Sequence, residues 1–387
     1  MRQFARYVAF GYIALIAVVA VLQLVGVTEF RAPFNVIPAP ERPPIVVSII
    51  YSSEQREWLT AAQQQFLAQS PTLRGRPIQI QLHERGSLAV ITSINQLRPV
   101  AIIPTSSTQL NVLASMSSVR AASGINAPQP IALSPLVLVG WKERTDRLFP
   151  NGVVDWERLR QALQAPNWGD PSLGGQANWG PVKFGHASPR SDTTGVDVLT
   201  LLAYAYHQRA SGLSQSHVDD NAFQTWFGDI ERMVREFPTS SDVLFTNFLQ
   251  RGPSAYDVVI AYENQAVARA NQAPQWGQYQ VIYPSASTLS DHPFVILEGG
   301  YEITPEQQEA ARMFRTFLLG ESAQRLALGY GFRPANAAIS LNDPDPSNKF
   351  PTATQLGVKI DLPGGVEIPN SMVASALLRL WGQQTGR

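Results

Sequence analysis

Five short polar segments have the residue types and placement to hold a small ligand. Ser52-Ser53-Glu54 follows the apolar run 45–51 (IVVSIIY), Gly86-Ser87 follows 78–82 (IQIQL), and Thr105-Ser106-Ser107 follows 100–103 (VAII). Further on, Arg190-Ser191-Asp192-Thr193-Thr194 follows 182–185 (VKFG), and Tyr262-Glu263-Asn264 closes the run 256–261 (YDVVIA). Each segment is followed by a helical stretch. A helix N-terminus presents unpaired N–H groups and a partial positive charge, which suit an anion or a polar oxygen. The same Ser and Thr residues also make ordinary helix N-caps. The doublets Ser52-Ser53 and Ser106-Ser107 exceed what capping requires, and one hydroxyl can do both jobs.

The elements that must position these residues read as α/β. The run 45–51 is nearly continuous and β-branched, as in a strand buried on both faces. Trp58, Ala62 and Phe66 then recur every fourth residue, on one face of a helix. Ser70-Pro71 ends that helix. Residues 78–82 alternate, and 100–103 give a third strand. A clear helix covers 196–208 (VDVLTLLAYAYHQ). Strands alternating with helices predict a parallel sheet, with ligands beyond the carboxyl ends of its strands.

Composition narrows the function. The 387 residues carry 30 Lys+Arg and 30 Asp+Glu, and so no net charge, which argues against holding nucleic acid by bulk phosphate neutralisation. There is no cysteine, so disulfides, thiolate chemistry and a lipidated N-terminal Cys are excluded. Arg2 and Arg6 precede an uncharged run over residues 7–27, whose 21 residues suffice for a spanning helix. The basic flank predicts an uncleaved single-pass anchor in the lipid bilayer, with the bulk of the chain extracytoplasmic. A cleaved signal segment, giving a secreted form, is the alternative. Residues 28–44, with five prolines, read as an extended tether.

Several pieces in order carry a family resemblance: SPLVLVGW at 134–141, GPVKFGHASPRSDTTG at 180–195, YDVVIAYENQAV at 256–267, YPSASTLSDHPFVIL at 283–297, AARMFRTFL at 310–318 and GYGFRPAN at 329–336. Over roughly residues 45–382 the chain resembles bacterial extracytoplasmic solute-binding proteins with the type II periplasmic binding fold. It is similar within them to the group often joined to von Willebrand factor A domains, a domain not expected here. The resemblance implies two lobes joined by crossing strands near 135–140 and 294–299. Lobe one would comprise 45–135 plus 300–387, and lobe two 136–299 with the hinge strands, its body at about 141–293. First-lobe contacts would be Ser52, Ser53, Gly86, Ser87, Thr105, Ser106 and Ser107. Second-lobe contacts would be Arg190, Ser191, Asp192, Thr193 and Thr194, with Tyr262 and Glu263 at the far wall. An oxyanion is the favoured ligand, with Arg190 adding a guanidinium suited to bidentate contact. Asp192 and Glu263 argue the other way; they would point outward, hold Arg190, or select a ligand with a donor group.

The implied function is capture of a small polar solute for an ABC-type permease or another membrane partner such as a sensor. An interaction subunit that keeps the fold but has lost the ligand is the second reading. An enzyme is the third, since Asp192, Glu263 and His186 could meet in the cleft, but no nucleophile–base pair, G-x-S-x-G elbow or phosphate loop is present. No cofactor or metal is expected. The five histidines lack ligand spacing, and Asp343-Pro344-Asp345-Pro346 lacks the glycine and closing glutamate of a calcium loop. The repeated Asn-Trp-Gly at 167–169 and 178–180 is expected to pack beneath lobe two. Thr304 with Gln307 is expected to cap a helix over 304–319.

Overall fold

The computed structural model describes residues 17, 18, 21, 42–116, 118–270, 272–362 and 364–387. From the N-terminus the main elements of the first half are β1 (Ile45–Ser52), α1 (Arg56–Ala68), β2 (Arg76–Arg85), β3 (Ala101–Ile103), β4 (Ala132–Trp141), α2 (Trp156–Gln164), β5 (Phe184–Gly185) and α3 (Thr193–Tyr206). Then come α4 (Asn221–Glu231), α5 (Ser241–Arg251), β6 (Val258–Tyr262), α6 (Glu263–Ala268), β7 (Tyr279–Ile282), β8 (Pro293–Gly299), α7 (Pro305–Leu319), α8 (Glu321–Gly329) and α9 (Ser371–Thr385).

Two mixed sheets form two lobes. In the first, β1 lies between β2 and β3, parallel to both, with Ile45 opposite Ile78 and Ile49 opposite Ala101. β8 runs antiparallel beside β3 and closes the sheet toward Val119–Ala121. Burial on both faces explains why β1 is apolar throughout. Trp58, Ala62 and Phe66 of α1 are buried as the spacing requires, against Phe314 of α7 and Phe332. In the second lobe β4 lies between β7 and β6, and β5 pairs with β6. Its core joins α2, α3 and α4 through residues such as Leu159, Leu199 and Phe227.

β4 is the continuous link. Its first half pairs with Leu289–Ser290 and Arg333–Pro334, and its second half lies in the second sheet. The segment 283–292 makes the return, so β8 lies wholly within the first sheet and is not itself the crossing strand. The C-terminal part departs further from expectation. Ile339, Phe350 and Leu356 are buried against Phe245 and Val281, and Val373, Leu377 and Trp381 of α9 are buried with α3 and α4. The first lobe therefore takes 300 to about 336, not 300–387. The apolar face of α9 finds its partners on lobe two, and the chain crosses a third time.

Among the described residues no helix is long and apolar enough to cross a membrane. The spanning run 7–27 and the tether 28–44 lie almost wholly outside the described residues.

Candidate functional site

The carboxyl ends of β1, β2 and β3 face the N-termini of α3 and α5 across the seam between lobes. On the first side, Glu54 follows β1 with its side chain 2% exposed. The hydroxyls of Ser52 and Thr105 both donate to it, the latter at 2.8 Å. Ser107 donates its backbone N–H (2.7 Å) and its hydroxyl to Asp291 on the return segment. The N–H of Thr105 goes to Gln109 at 2.9 Å, and Ser106 caps the turn that follows, accepting from Thr108 N–H.

On the second side, Asp192 is the N-cap of α3. One oxygen accepts from the N–H (2.9 Å) and hydroxyl of Thr194, and the other from Ser241 N–H (3.2 Å) at the head of α5. The two helix N-termini thus converge on a buried carboxylate of the protein itself, which occupies the place a bound anion would take. The next donor, Thr193 N–H, crosses the seam to the Ser87 hydroxyl at 2.8 Å. Asp197, about one helical turn further along α3, accepts from Thr288 on the return segment at 3.3 Å.

Burial governs the protonation of these groups. It pushes Glu54 up to about 7, against the hydrogen bonds of Ser52 and Thr105, with the charge of Asp192 adding to the rise. Burial lifts Asp197 to about 7 as well, and raises Asp192 despite its donors. His292 is fully buried and held neutral, down to about 3. Neither of its ring nitrogens has a partner, the nearer lying 3.7 Å from Glu54. The hydroxyls of Tyr262 and Thr193 are likewise buried without a hydrogen bond. The phenol is driven well above its ordinary range by burial and by the charges of Asp197, Asp192 and Glu54.

The structure gathers Ser52, Ser87, Thr105, Asp192, Thr193, Thr194 and Tyr262 at the buried seam. Ser53, Gly86 and Ser191 lie at its mouth, along an open groove of about 630 Å³. Two expected contacts are held by other partners. Arg190 lines the same open groove, but it is exposed and its guanidinium donates to the Arg387 carbonyl at 2.7 Å. Glu263 is fully buried, but Arg333 grips both its oxygens at 2.7 and 2.8 Å and Tyr283 donates to it, so it holds the third crossing in place. His186 is enclosed by Ala187 O and Glu231 within lobe two and does not meet Asp192.

Asp197, Ser241, Asp291 and His292 were not singled out from sequence, and Glu54 was named only as the end of its polar segment. Asp197 carried the clearest signal, a lone acid inside the apolar helix VDVLTLL. The second Asn-Trp-Gly is structural: Trp179 stacks on Arg144 (3.1 Å to the ring centroid), while Trp168 of the first donates to Asp257 at 3.1 Å.

The fold and this seam define a two-lobed binding protein. The sequence profile of the bacterial extracellular solute-binding protein family matches residues 47–333, and the chain belongs to that family. Membership places the matched domain outside the cytoplasm and makes it a binding protein, not an enzyme. Among solved structures, it is similar to a periplasmic thiamin binding protein (TM-score 0.61, 12% identity, covering 88% of this chain and 96% of that one). It is also similar to iron-bound HitA from Pseudomonas aeruginosa (TM-score 0.58, 12%, 88% and 99%). A third is the sulfate-binding protein SubI from Mycobacterium tuberculosis H37Rv (TM-score 0.53, 18%, 83% and 93%). At these identities the likeness establishes the fold alone. No curated protein sequence matches the chain.

Proposed function

We propose that the chain captures a small polar solute between its lobes and presents the closed form to a membrane partner, an ABC-type permease or a sensor. Residues 7–27 would hold the domain at the membrane surface. The contacts would come from Ser52, Ser53, Gly86, Ser87, Thr105, Ser106 and Ser107 on one lobe. Ser191, Asp192, Thr193, Thr194 and Tyr262 would supply them on the other. The observation that carries this reading is the bond from Thr193 N–H to Ser87 across the seam, with unpartnered hydroxyl and imidazole groups buried beside it. Lobe closure would bring these groups around a ligand. The neighbours' names span thiamin, iron and sulfate, so the fold leaves the ligand's charge open. The oxyanion favoured by sequence loses its main support with Arg190 bonded to the Arg387 carbonyl.

Thermal unfolding of the full-length protein against a panel of ions, amines, amino acids and short sugars tests the reading. A ligand at ~100 times its dissociation constant adds ~2.7 kcal/mol to the native state. A rise in melting temperature with one chemical class, lost in Ser87→Ala or Thr194→Ala, is expected.

One observation favours the interaction-subunit reading: most hydroxyls at the seam are already bonded to the protein's own carboxylates or carbonyls. Absence of any shift in well-folded protein would favour that reading.

A further inference from the structure

We infer that the ligand of this cleft is a small organic cation that brings its own N–H donors, such as a primary amine. The inference rests on the solute-binding reading above and adds the charge of the ligand.

Most donors at the seam are spent; the hydroxyls of Thr193 and Tyr262 and one ring N–H of His292 are not. Ser52 and Thr105 give their protons to Glu54, Ser107 to Asp291, Thr194 to Asp192 and Thr288 to Asp197. The N–H groups at the head of α3, which would cradle an anion, go to Ser87 and Asp192. Acceptors remain in surplus, because a carboxylate offers about four lone-pair sites.

The neutral imidazole of His292 and the hydroxyls of Tyr262 and Thr193 are each at least nine-tenths buried and unpartnered; each can accept from a ligand and each also keeps one proton to donate, so the choice of charge rests on the carboxylates. His292 lies 3.7 Å from Glu54, the rings of His292 and Tyr262 are 6.5 Å apart, and the charges of Asp197, Asp192 and Glu54 act on the Tyr262 phenol.

Among the described residues no Lys or Arg forms an ion pair with Glu54, Asp192 or Asp197; Arg56 pairs with Glu84 and Arg269 with Asp242. Buried carboxylates without a counter-ion are costly. A cation seated among them would remove that cost and supply donors to the idle acceptors. The carboxylates are spread around the seam, and among the described residues no three acidic or imidazole groups converge as a metal site would need. A polyatomic cation fits that spacing better than a bare ion.

The charge makes a pH prediction. Glu54 and Asp197, raised to about 7, must ionise to hold a cation. Asp192 is also raised, His292 stays neutral, and Asp291 and Asp242 keep their own partners. Affinity for a cation should therefore climb from pH 6 to pH 8, by about tenfold for each carboxylate that must ionise. An anion would show the reverse slope.

The experiment is titration calorimetry on the full-length protein with putrescine, spermidine and arginine against sulfate, phosphate and molybdate, at pH 6 and pH 8. The expected result is binding of an amine, tighter at pH 8 and lost in both Glu54→Gln and Asp197→Asn. Binding of an anion, tighter at pH 6, would overturn the inference while leaving the solute-binding reading intact. Amine binding that survives both acidic-residue variants would overturn it too. No binding by any probe would count against both.

Discussion

The protein handles buried carboxylates in two ways. Inside lobe two, Asp257 is fully enclosed and fully matched: Arg144 and Lys183 each lie at 3.1 Å, and Trp168 and the Lys183 N–H complete its hydrogen bonds. Glu263 is matched by the fork of Arg333. At the seam, Glu54, Asp192 and Asp197 have only neutral donors. The contrast separates charge used to fasten a fold from charge kept ready. A matched ion pair needs no further partner, whereas an unmatched one costs stability until something arrives.

The largest effect should come from breaking a matched pair. Arg333→Met should destabilise by about 3–5 kcal/mol, since it leaves the buried Glu263 carboxylate with no counter-ion and only the Tyr283 hydroxyl as a partner. Urea unfolding measures it, and a loss below about 1 kcal/mol would dissolve the distinction drawn above. The unmatched side should respond with the opposite sign. Glu54→Gln should stabilise the ligand-free protein at pH 8, on the order of 1–3 kcal/mol, by removing an ionised group from a buried site, and Asp197→Asn, at a half-buried position, by less. A destabilisation of that size would place these acids with the fasteners.

The wild-type pH profile sharpens the same point. An acid raised on folding binds its proton more tightly in the native state. The stability it contributes is complete below its unfolded value, near 4, and is lost as pH rises through about 7. Melting temperature without ligand should thus fall between pH 5 and pH 8, and the fall should shrink in either variant. The smallest effect belongs to Arg190→Ala. Its exposed bond to the chain end is worth no more than about 0.5 kcal/mol.

Much of the scaffold was legible because it obeys local rules. The run 45–51, the Trp58–Ala62–Phe66 stripe and the Thr304–Gln307 cap are each encoded within a few residues, and each forms as read. The hydroxyl segments could be placed at the strand ends for the same reason. What they do there could not be read, because direction is tertiary. Arg190 and Asp192 are two residues apart, yet one turns to the C-terminus and the other caps α3. Glu263 looked like a ligand contact because its partner lies 70 positions away, at Arg333. The placement of α9 was missed because an apolar stripe states that a helix is buried, not which lobe buries it.

The triple crossing of the chain also sets the order in which the molecule can be assembled. The first sheet has no neighbour for β3 on that side until β8 exists, and the second lobe's core stays open until α9, ending at Thr385, packs. The first core cannot close until the chain has been made to about residue 332, and the second not until α9 has. Each half therefore waits for segments encoded far downstream of its first strand. Such late closure is the condition a narrow export channel imposes on a polypeptide bound for the far side of a membrane.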